Sequence, residues 1–246
     1  MCVGQTDSKI MPAMDFYEVF QMASIKIYSN PSMLYRYRPI SESTIDRELE
    51  AIIDAYIYCP KFSAMNDPME GAHRRSITAI VRGSPEHDKK VLAARDELGI
   101  ASLSEVHDHE PMWAHYADKF GGLCIAFSTK KLLEGLPDDV DLIRMAYSEK
   151  APILPLYRST IIDKAKLTLA TKTVRWASER EWRIISPSVG RAEYREPKVV
   201  SRIYLGSRIN SAFERRIISE MRKLKISVVK MKIDKYALEF SADVSR

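Results

Sequence analysis

Apolar and polar positions alternate in short runs along most of the chain, and this pattern predicts many short strands. Successive side chains on a strand point to opposite faces, so a period of two indicates a strand with one buried face. An unbroken apolar run, such as residues 123–127, is typical of a strand buried on both faces. The predicted strands are residues 33–38, 56–59, 100–104, 123–127, 142–147, 182–186, 199–205 and 226–233.

Helical spacing, with apolar residues three and four positions apart, separates these strands. Ser43 is the predicted N-cap of one helix, with Asp46 three residues later in an approximate capping box. Pro111 opens a later helix, and Gly121 with Gly122 ends it. The predicted helices are residues 15–28, 43–56, 84–98, 110–120, 129–136, 153–173 and 210–225.

Strands and helices are interspersed without strict β–α–β alternation, which predicts an α+β fold. We expect one domain over residues 31–240, in which helices surround a mixed, mostly antiparallel central sheet. Residues 1–30 are expected to form a flexible start followed by a helix.

The bulk properties narrow the class of protein. The chain has 246 residues, 46% of them hydrophobic, and can bury a substantial core. No apolar run approaches the roughly 20 residues of a membrane span and no Sec signal is visible, so we expect no membrane partner. Three scattered cysteines without a C-x-x-C pair favour a reducing cytoplasm. A net charge of +5 is compatible with a nucleic acid or nucleotide partner without requiring one.

The segment from Trp176 to Ile185 gives the most direct indication of chemistry. Glu179 and Glu181 lie two residues apart, before a β-prone run and between two tryptophans. Positions i and i+2 of a strand share a face, so both carboxylates would converge there with Arg183. Paired carboxylates on a rigid element can act in acid–base chemistry or stabilise a cation. The alternative is a surface strand of alternating charges.

Two other segments carry candidate binding residues. Arg36 and Arg38 share one face of the first predicted strand and could clamp a pyrophosphate, because arginine is suited to two-pronged phosphate contacts. The alternative is an edge strand with solvated arginines. Asn66 and Asp67 lie in a turn-forming loop, where a structural role is the default and a ligand contact is the alternative.

Aromatic residues cluster on the helix predicted at residues 110–120. Trp113 and Tyr116 could stack on a nicotinamide or adenine ring, or could anchor the helix in the core. No metal is expected, because His107 and His109 lack closing ligands at a typical zinc spacing. The sequence also lacks the common dinucleotide, P-loop, serine-hydrolase and zinc-protease motifs.

Five short motifs resemble, in order, the signature of a bacterial family of domains of unknown function. The resemblance extends over about residues 33–235. The motifs occupy residues 34–38, 62–70, 112–122, 176–183 and, more loosely, 199–206. The ordered set is specific, although each motif alone is weak, and it indicates a family without indicating an activity.

A second set of residues resembles ADP-ribosyltransferases. These enzymes carry an arginine or histidine on the first core strand, then a serine or tyrosine element, then a glutamate, often in E-x-E, that opens a late strand. The matching residues are Arg36 or Arg38, then Ser102 and Ser104 or Tyr116, then Glu179 and Glu181. The central element departs from a clean Ser-Thr-Ser. The resemblance implies a split sheet and NAD as the substrate.

The same resemblance implies a role for each residue. Glu181 would hold a ribose hydroxyl and stabilise the oxocarbenium-like transition state of nicotinamide cleavage. Glu179 would orient or deprotonate the acceptor. A first-strand arginine would bind the pyrophosphate, and Trp113 or Tyr116 would stack on the nicotinamide ring.

These inferences lead to one preferred function and two alternatives. The preferred function is an NAD-dependent ADP-ribosyltransferase of toxin or phage-defence type, with a nucleic acid or protein acceptor and an antitoxin or regulatory protein as partner. The first alternative is a nucleotide- or nucleic-acid-binding module without turnover, whose glutamates and arginines form a structural ion-pair network. A nucleic-acid-processing enzyme is disfavoured, because the sequence has no compact acidic metal cluster. The basic helix at residues 210–225 would meet a nucleic acid or simply lie in solvent.

Overall fold

An eight-stranded sheet organises the part of the chain that the computed structural model describes, which is residues 30–82, 85–156 and 159–245. The strands in those ranges are β1 (Met33–Arg38), β2 (Tyr56–Cys59), β3 (Arg74–Arg75), β4 (Gly99–Ser104), β5 (Leu123–Ser128), β6 (Asp141–Arg144), β7 (Ala146–Ser148), β8 (Ile153–Leu154), β9 (Thr171–Thr173), β10 (Glu181–Ser186), β11 (Gly190–Glu193), β12 (Val200–Leu205), β13 (Ser227–Asp234) and β14 (Ala237–Phe240). The α-helices are α1 (Ile45–Ile53), α2 (Ile77–Arg82), α3 (Pro85–Glu97), α4 (Glu110–Tyr116), α5 (Thr129–Gly135), α6 (Ile161–Leu169) and α7 (Ser211–Leu224), and short 3₁₀ helices occur at Phe62–Ala64, Val174–Glu179 and Pro197–Val199.

The large sheet has the strand order β14–β13–β12–β5–β1–β4–β10–β6. Its pairings are antiparallel except for the parallel pair β12–β13. This combination of sheet and helices confirms the predicted α+β class. Residues 1–29 lie outside the described residues, so the flexible start and helix predicted there stay predictions. Among the described helices, none combines the length and the apolar character that a bilayer crossing requires.

The two faces of the sheet are covered by different helices. On one face, which we call the α1 face, apolar residues of α1, α5 and α7 pack on strand residues such as Leu34, Leu103 and Ile184. On the other face, the α4 face, Trp113 of α4 packs near Tyr37, and α3 and α6 pack further along the sheet. Alternate residues of each strand belong to opposite faces, as the period of two predicts.

The centre of the sheet contains a gap between β1 and β4. β1 is paired with β5 along its whole length, and β4 is paired with β10 along its whole length. Between β1 and β4 the described residues form a single pair, Tyr35 with Ser104. Beyond that pair the strands diverge, and Ile100 instead donates its N–H to the carbonyl of Pro60 at 2.8 Å. We call this opening the β1–β4 gap.

Two predicted helices have different bounds in the structure. The helix predicted at residues 43–56 spans Ile45–Ile53 with Thr44 as its N-cap, so the prediction of Ser43 as N-cap was wrong. The helix predicted at residues 110–120 ends at Tyr116. Residues 118–120 have positive φ, and Phe120 turns back to stack on Trp113. Packing of this aromatic residue, rather than the following glycines, ends the helix.

The prediction of mostly helix over residues 153–173 was wrong. Pro155 follows the two-residue strand β8, and helix α6 begins only after Thr160, whose capping box with Asp163 fixes the start. The β-branched residues of Thr171–Thr173 form β9, which pairs in parallel with β7. The strand predicted at residues 142–147 is divided at Met145 into β6 and β7, because β6 pairs with β10 and β7 pairs with β9.

Close backbone contacts hold the loop after α4 against the strand ends. Gly206 donates its N–H to the carbonyl of Gly122 at 2.9 Å, and Gly122 donates to Ala117 at 2.8 Å. A Cβ atom at Gly206 would overlap the carbonyl oxygen of Phe120. The loop that orients α4 therefore requires a residue without a side chain at this point.

We expect Gly206→Ala to lower the free energy of unfolding by about 1–3 kcal/mol, because the added methyl group must displace backbone. Ser207→Ala is the matched control, since its buried hydroxyl has no hydrogen-bond partner among the described residues. Chemical denaturation of both variants measures the difference. Equal stability of the two variants would contradict the close packing.

Candidate functional site

A cavity of about 340 Å³ lies at the β1–β4 gap. Its volume falls in the range of roughly 300–1,000 Å³ that is typical of small-molecule sites. Residues of β1, β4, α4, the loop after β2 and the segment before β10 line it. The predicted site residues on its wall are Arg36, Arg38, Asn66, Ser102, Tyr116, Glu179 and Glu181. The structure thus brings most of the predicted residues to one cavity.

The two glutamates reach this cavity by a different route from the one the sequence predicted. Glu179 ends a 3₁₀ helix, Arg180 has a left-handed conformation with φ 46°, and Glu181 opens β10. The prediction that both lie on one strand face was therefore wrong. Their carboxylates nevertheless converge on the Nζ atom of Lys172, which lies 2.7 Å from Glu179 Oε2 and 3.2 Å from Glu181 Oε2. A surface strand of alternating charges is also wrong, because both glutamates are buried.

Five buried charges form one network around this point. Arg183 Nε lies 2.7 Å from Glu181 Oε1, and Arg183 Nη2 lies 2.6 Å from Glu70 Oε2. Glu70 is also 3.5 Å from the ammonium of Lys172. Three carboxylates thus face two cations, which leaves a formal charge of minus one. Removing either cation would leave buried carboxylates without compensation.

The network sets the protonation of its members. Burial raises the pKa of Glu181, but the charges of Arg183 and Lys172 outweigh that effect and hold this pKa below its ordinary value. Burial also raises the pKa of Glu70, and there Arg183 and Lys172 only partly offset the increase. Burial lowers the pKa of Lys172, but the carboxylates of Glu181 and Glu179 more than reverse this. Glu181 is therefore an ionised carboxylate at neutral pH.

Tyr116 links the helix α4 to the glutamates. Its hydroxyl donates to Glu179 Oε1 at 2.7 Å and accepts from Asn66 Nδ2 at 3.1 Å. Burial raises the pKa of Tyr116 to about 12, so the phenol is neutral and can donate. Asn66 thus lies on the cavity wall and also supports the hydroxyl of Tyr116. The neighbouring Asp67 accepts from the N–H of Met69 at 2.9 Å, which is the structural turn that was the default reading of this loop.

Two predicted binding residues do not line the cavity. Trp113 is fully buried, its Nε1 donates to the carbonyl of His107 at 2.7 Å, and its ring contacts Tyr37 edge-on. The prediction that it stacks on a ligand is therefore corrected to a core role. Ser104 is also buried, and its hydroxyl donates to the backbone carbonyl of Glu179 at 2.6 Å. It fixes the turn before β10 rather than a ligand.

The two arginines of β1 have different partners. Arg38 forms a two-pronged ion pair with Glu48 of α1, at 2.8 Å and 2.5 Å. Arg36 donates to the carbonyl of Tyr58 at 3.0 Å and has no carboxylate partner among the described residues. Burial, and then the charge of Arg38, lower the pKa of Arg36 to about 10. Arg36 is therefore a cation without a carboxylate in direct contact among the described residues.

A second cavity of about 210 Å³ adjoins the first on the α1 face. Arg36, Arg38 and Pro60 line both cavities. Arg47 and Glu48 add one charge of each sign to the second cavity, so its lining keeps a positive excess. The side chains of β1 alternate between the faces, and Arg36 belongs with Leu34 to the α1 face, whereas Glu181 lies on the α4 face. Together, the two cavities extend from a basic region at the arginines on the α1 face, through the β1–β4 gap, to an acidic region at the glutamates on the α4 face.

Sequence reasoning missed Lys172, Tyr147 and Glu70. Lys172 lies on a strand that was predicted as helix, and Tyr147 lies beside it on β7. Glu70 closes the loop motif at residues 62–70 but received no role. A search for cations able to balance the two glutamates could have indicated Lys172 as well as Arg183. Within the described ranges, no group of three potential ligand side chains is arranged to hold a metal ion.

Comparison with known proteins finds a match to a family without a known activity over part of the chain. Residues 112–184 match the sequence profile of DUF2971, a family described as proteins of unknown function. The matched stretch includes Tyr116, Lys172, both glutamates and Arg183. No curated protein and no solved structure matches the chain. The match supports the predicted resemblance to a family of unknown function over these residues.

The lowered pKa of Glu181 predicts a pH-dependent stability. A carboxyl group whose pKa is lower in the folded state contributes stability above its unfolded pKa, and this contribution is lost as pH falls through the folded value. We expect Glu181→Gln to lower the free energy of unfolding at pH 7 by about 3 kcal/mol. Below about pH 4.3, the ordinary glutamate pKa, the free energy of unfolding of this variant should fall less steeply with decreasing pH than that of the wild type. Denaturant titrations from neutral to acid pH measure both effects.

Glu50→Gln is the matched control, because Glu50 forms an exposed ion pair with Arg191 and should change stability by less than about 1 kcal/mol. Acid limbs that run parallel in the wild type and in Glu181→Gln would contradict the assigned protonation.

Proposed function

We propose that the chain is an NAD-dependent ADP-ribosyltransferase, which releases nicotinamide from NAD and transfers ADP-ribose to a macromolecular acceptor. One observation supports this most directly: the cavity at the β1–β4 gap joins Arg36 of β1 to Glu181 of β10. These residues are distant in sequence and lie on strands separated by β4. They supply an anion-binding group and a cation-stabilising group to one ligand-sized space.

The acidic end of the cavity suits the cleavage step. When the glycosidic bond of NAD breaks, nicotinamide leaves with the bonding electron pair and the ribose develops oxocarbenium character, as in glycoside cleavage. An ionised carboxylate in a poorly solvated cavity stabilises such a cation strongly. Glu181 is buried and its pKa is lowered, and the network to which it belongs has a formal charge of minus one. Glu181 is accordingly the residue to which we assign this role.

Glu179 suits the transfer step. Its carboxylate lines the cavity beside Ser102 and Tyr116. An acceptor hydroxyl or amine that attacks the ribose must lose its proton, and Glu179 is the second carboxylate available to accept it. Tyr116 stays neutral, with a pKa raised by burial to about 12, and orients this carboxylate through its hydrogen bond.

The backbone groups along the β1–β4 gap can hydrogen-bond a planar amide group of a ligand. Thr129 donates to the carbonyl of Ser32, so the even-numbered residues of β1 direct their backbone groups toward β5. The alternation of an antiparallel ladder then directs Tyr37 toward the gap, where Ser102 faces it from β4. A carboxamide, with one donor side and one acceptor side, matches such an edge. Nicotinamide carries this group.

Arg36, rather than Arg38, is the arginine that we assign to the pyrophosphate. The guanidinium of Arg38 is occupied by the two oxygens of Glu48, whereas Arg36 lacks a carboxylate. Phosphate oxygens would compensate the charge of Arg36 at the junction of the two cavities. Burial, and then the neighbouring charge of Arg38, lower the pKa of Arg36, and a bound anion would relieve that repulsion.

The acceptor and context are proposed more broadly. A nucleic acid or protein acceptor, a cytoplasmic site of action and a role as a toxin or phage-defence effector held by an antitoxin or regulatory protein all agree with an NAD-consuming enzyme. The basic helix α7 adds little to the choice of acceptor, because several of its cations are already engaged. Arg216 pairs with Asp46, and Lys223 pairs with Glu220 at 2.7 Å.

A binding module without turnover is the second candidate. The observation that favours it is the contact of Lys172 with both carboxylates, which satisfies them without any ligand. In that case the network would be structural, and the cavity would bind a nucleotide without cleaving it.

We expect the wild-type protein to release nicotinamide from NAD. With NAD that is labelled in its adenylate part, we expect the label to appear on macromolecules of a cell extract. Glu181→Gln should slow nicotinamide release by about 100-fold or more, because it removes the charge that stabilises the ribose cation. Separate nuclease and protease digestion of the labelled product distinguishes the acceptor classes. Glu50→Gln is the control. NAD binding by calorimetry without any cleavage would favour the binding module, and neither binding nor cleavage would contradict both candidates.

We expect Arg36→Met to raise the KM for NAD by about 10- to 100-fold, the loss of one charge-assisted hydrogen bond. Arg38→Met should affect stability more than KM, because it leaves Glu48 without its two-pronged partner. Arg191→Met removes a cation that lines neither cavity and serves as the control. Steady-state kinetics beside thermal melts separate these effects. A larger KM change in Arg38→Met than in Arg36→Met would reverse the assignment.

A further inference from the structure

Lys172 is the central cation of the acidic network, and none of the sequence motifs assigns it a role. Its ammonium lies within 3.5 Å of Glu70, Glu179 and Glu181. The side chain is almost fully buried, and the ring of Trp176 lies 4.6 Å from Nζ. Lys172 also lines the cavity at the gap. It therefore touches both of the carboxylates to which the proposed reaction is assigned.

The two-stranded ribbon of β7 and β9 positions this lysine at the site. β9 pairs in parallel with β7, and Tyr147 lies opposite Lys172 in that pairing. The hydroxyl of Tyr147 accepts a hydrogen bond from the backbone N–H of Glu181 at 2.7 Å. The ribbon thus holds Glu181 twice, at the backbone through Tyr147 and at the carboxylate through Lys172. Two contacts from one element fix both the position and the orientation of this glutamate.

We infer that Lys172 is a positioning residue for the proposed NAD cleavage, which holds the carboxylates of Glu179 and Glu181 at a fixed separation. The inference rests on the proposed function. Without the ammonium, the network of three carboxylates would keep a single cation, Arg183, which pairs with Glu70 and Glu181. Like charges at this distance disfavour ionisation, so protons would be taken up and the carboxylates would separate. Both consequences would disturb the pair of carboxylates that the reaction requires.

The charge at this position, rather than the packing of the chain, carries the effect. Burial alone would raise the pKa of Glu181, and the charges of Arg183 and Lys172 hold it down. The polar and charged groups that face Glu181 from the elements around it are Glu70, Ser102, Tyr147, Lys172, Glu179 and Arg183. Lys172 and Arg183 are the cations of this set, and only Lys172 bonds both glutamates.

The test compares Lys172→Met, which keeps the length of the chain without its charge, with Lys172→Arg, which keeps the charge. We expect Lys172→Met to lower kcat for nicotinamide release at neutral pH by about 100-fold. The acid limb of its kcat profile should move to higher pH, while KM changes little. Lys172→Arg should restore much of kcat and return the acid limb toward its wild-type position. Thermal melts show that each variant is folded at the assay temperature.

Lys164→Met is the matched control. Lys164 is as deeply buried as Lys172, but it bonds the carbonyl of Leu156 and His87 instead of a carboxylate, and it lines neither cavity. Its kcat and acid limb should stay close to those of the wild type. An acid limb that stays in place in Lys172→Met would overturn the inference, as would an equal change in the Lys164 variant.

A second readout is independent of activity. Carbon-13 NMR of labelled glutamate side chains, with Glu181→Gln to assign the signal, follows the titration of Glu181 directly. We expect the midpoint to move to higher pH in Lys172→Met and to be recovered in Lys172→Arg. If the wild type cleaves no NAD, the proposed function fails. The NMR titration still measures the effect of Lys172 on the titration midpoint of Glu181. An unchanged midpoint overturns the role of Lys172 whatever the activity.

Discussion

The structure around the candidate site depends on the mutual compensation of buried charges. Glu70, Glu179 and Glu181 could not share the interior without cations, because burial disfavours an isolated charge. Lys172 and Arg183 supply that compensation at distances of 2.6–3.5 Å. The five residues belong to the loop before β3, to β9, to a 3₁₀ helix and to β10. The same contacts that join these segments also determine the charge of the cavity.

The sequence was informative where structure is local. Strand β1 and strand β10 follow from their own periodicity, and the pair of glutamates stands out in the sequence. Lys172 could not be found in this way, because β9 has only three residues, and an alternation of apolar and polar positions cannot be recognised over so short a strand. The turn at Arg180 depends on packing and on the bond from Ser104 to Glu179. The glutamates therefore converge as expected but through a geometry that only the folded chain defines.

The difference between the two arginines shows a similar limit. Arg36 and Arg38 have the same spacing and the same face in the sequence, so periodicity alone gives no basis for choosing between them. The choice comes from Glu48, which helix α1 brings against Arg38 and not against Arg36. A contact between a strand and the following helix thus leaves one guanidinium engaged and the other without a carboxylate.

The gap between β1 and β4 also gives the site a direction. Because the strands share the single pair Tyr35–Ser104, a ligand can extend from one face of the sheet to the other without displacing a strand. The arginines lie on the α1 face and the glutamates open toward the α4 face. An elongated molecule with an anionic centre and a cationic end therefore has one favourable orientation, and the reversed molecule would meet like charges at both positions. The opposite charges at the two sides of the β1–β4 gap thus favour one orientation of such a molecule, independently of its detailed shape.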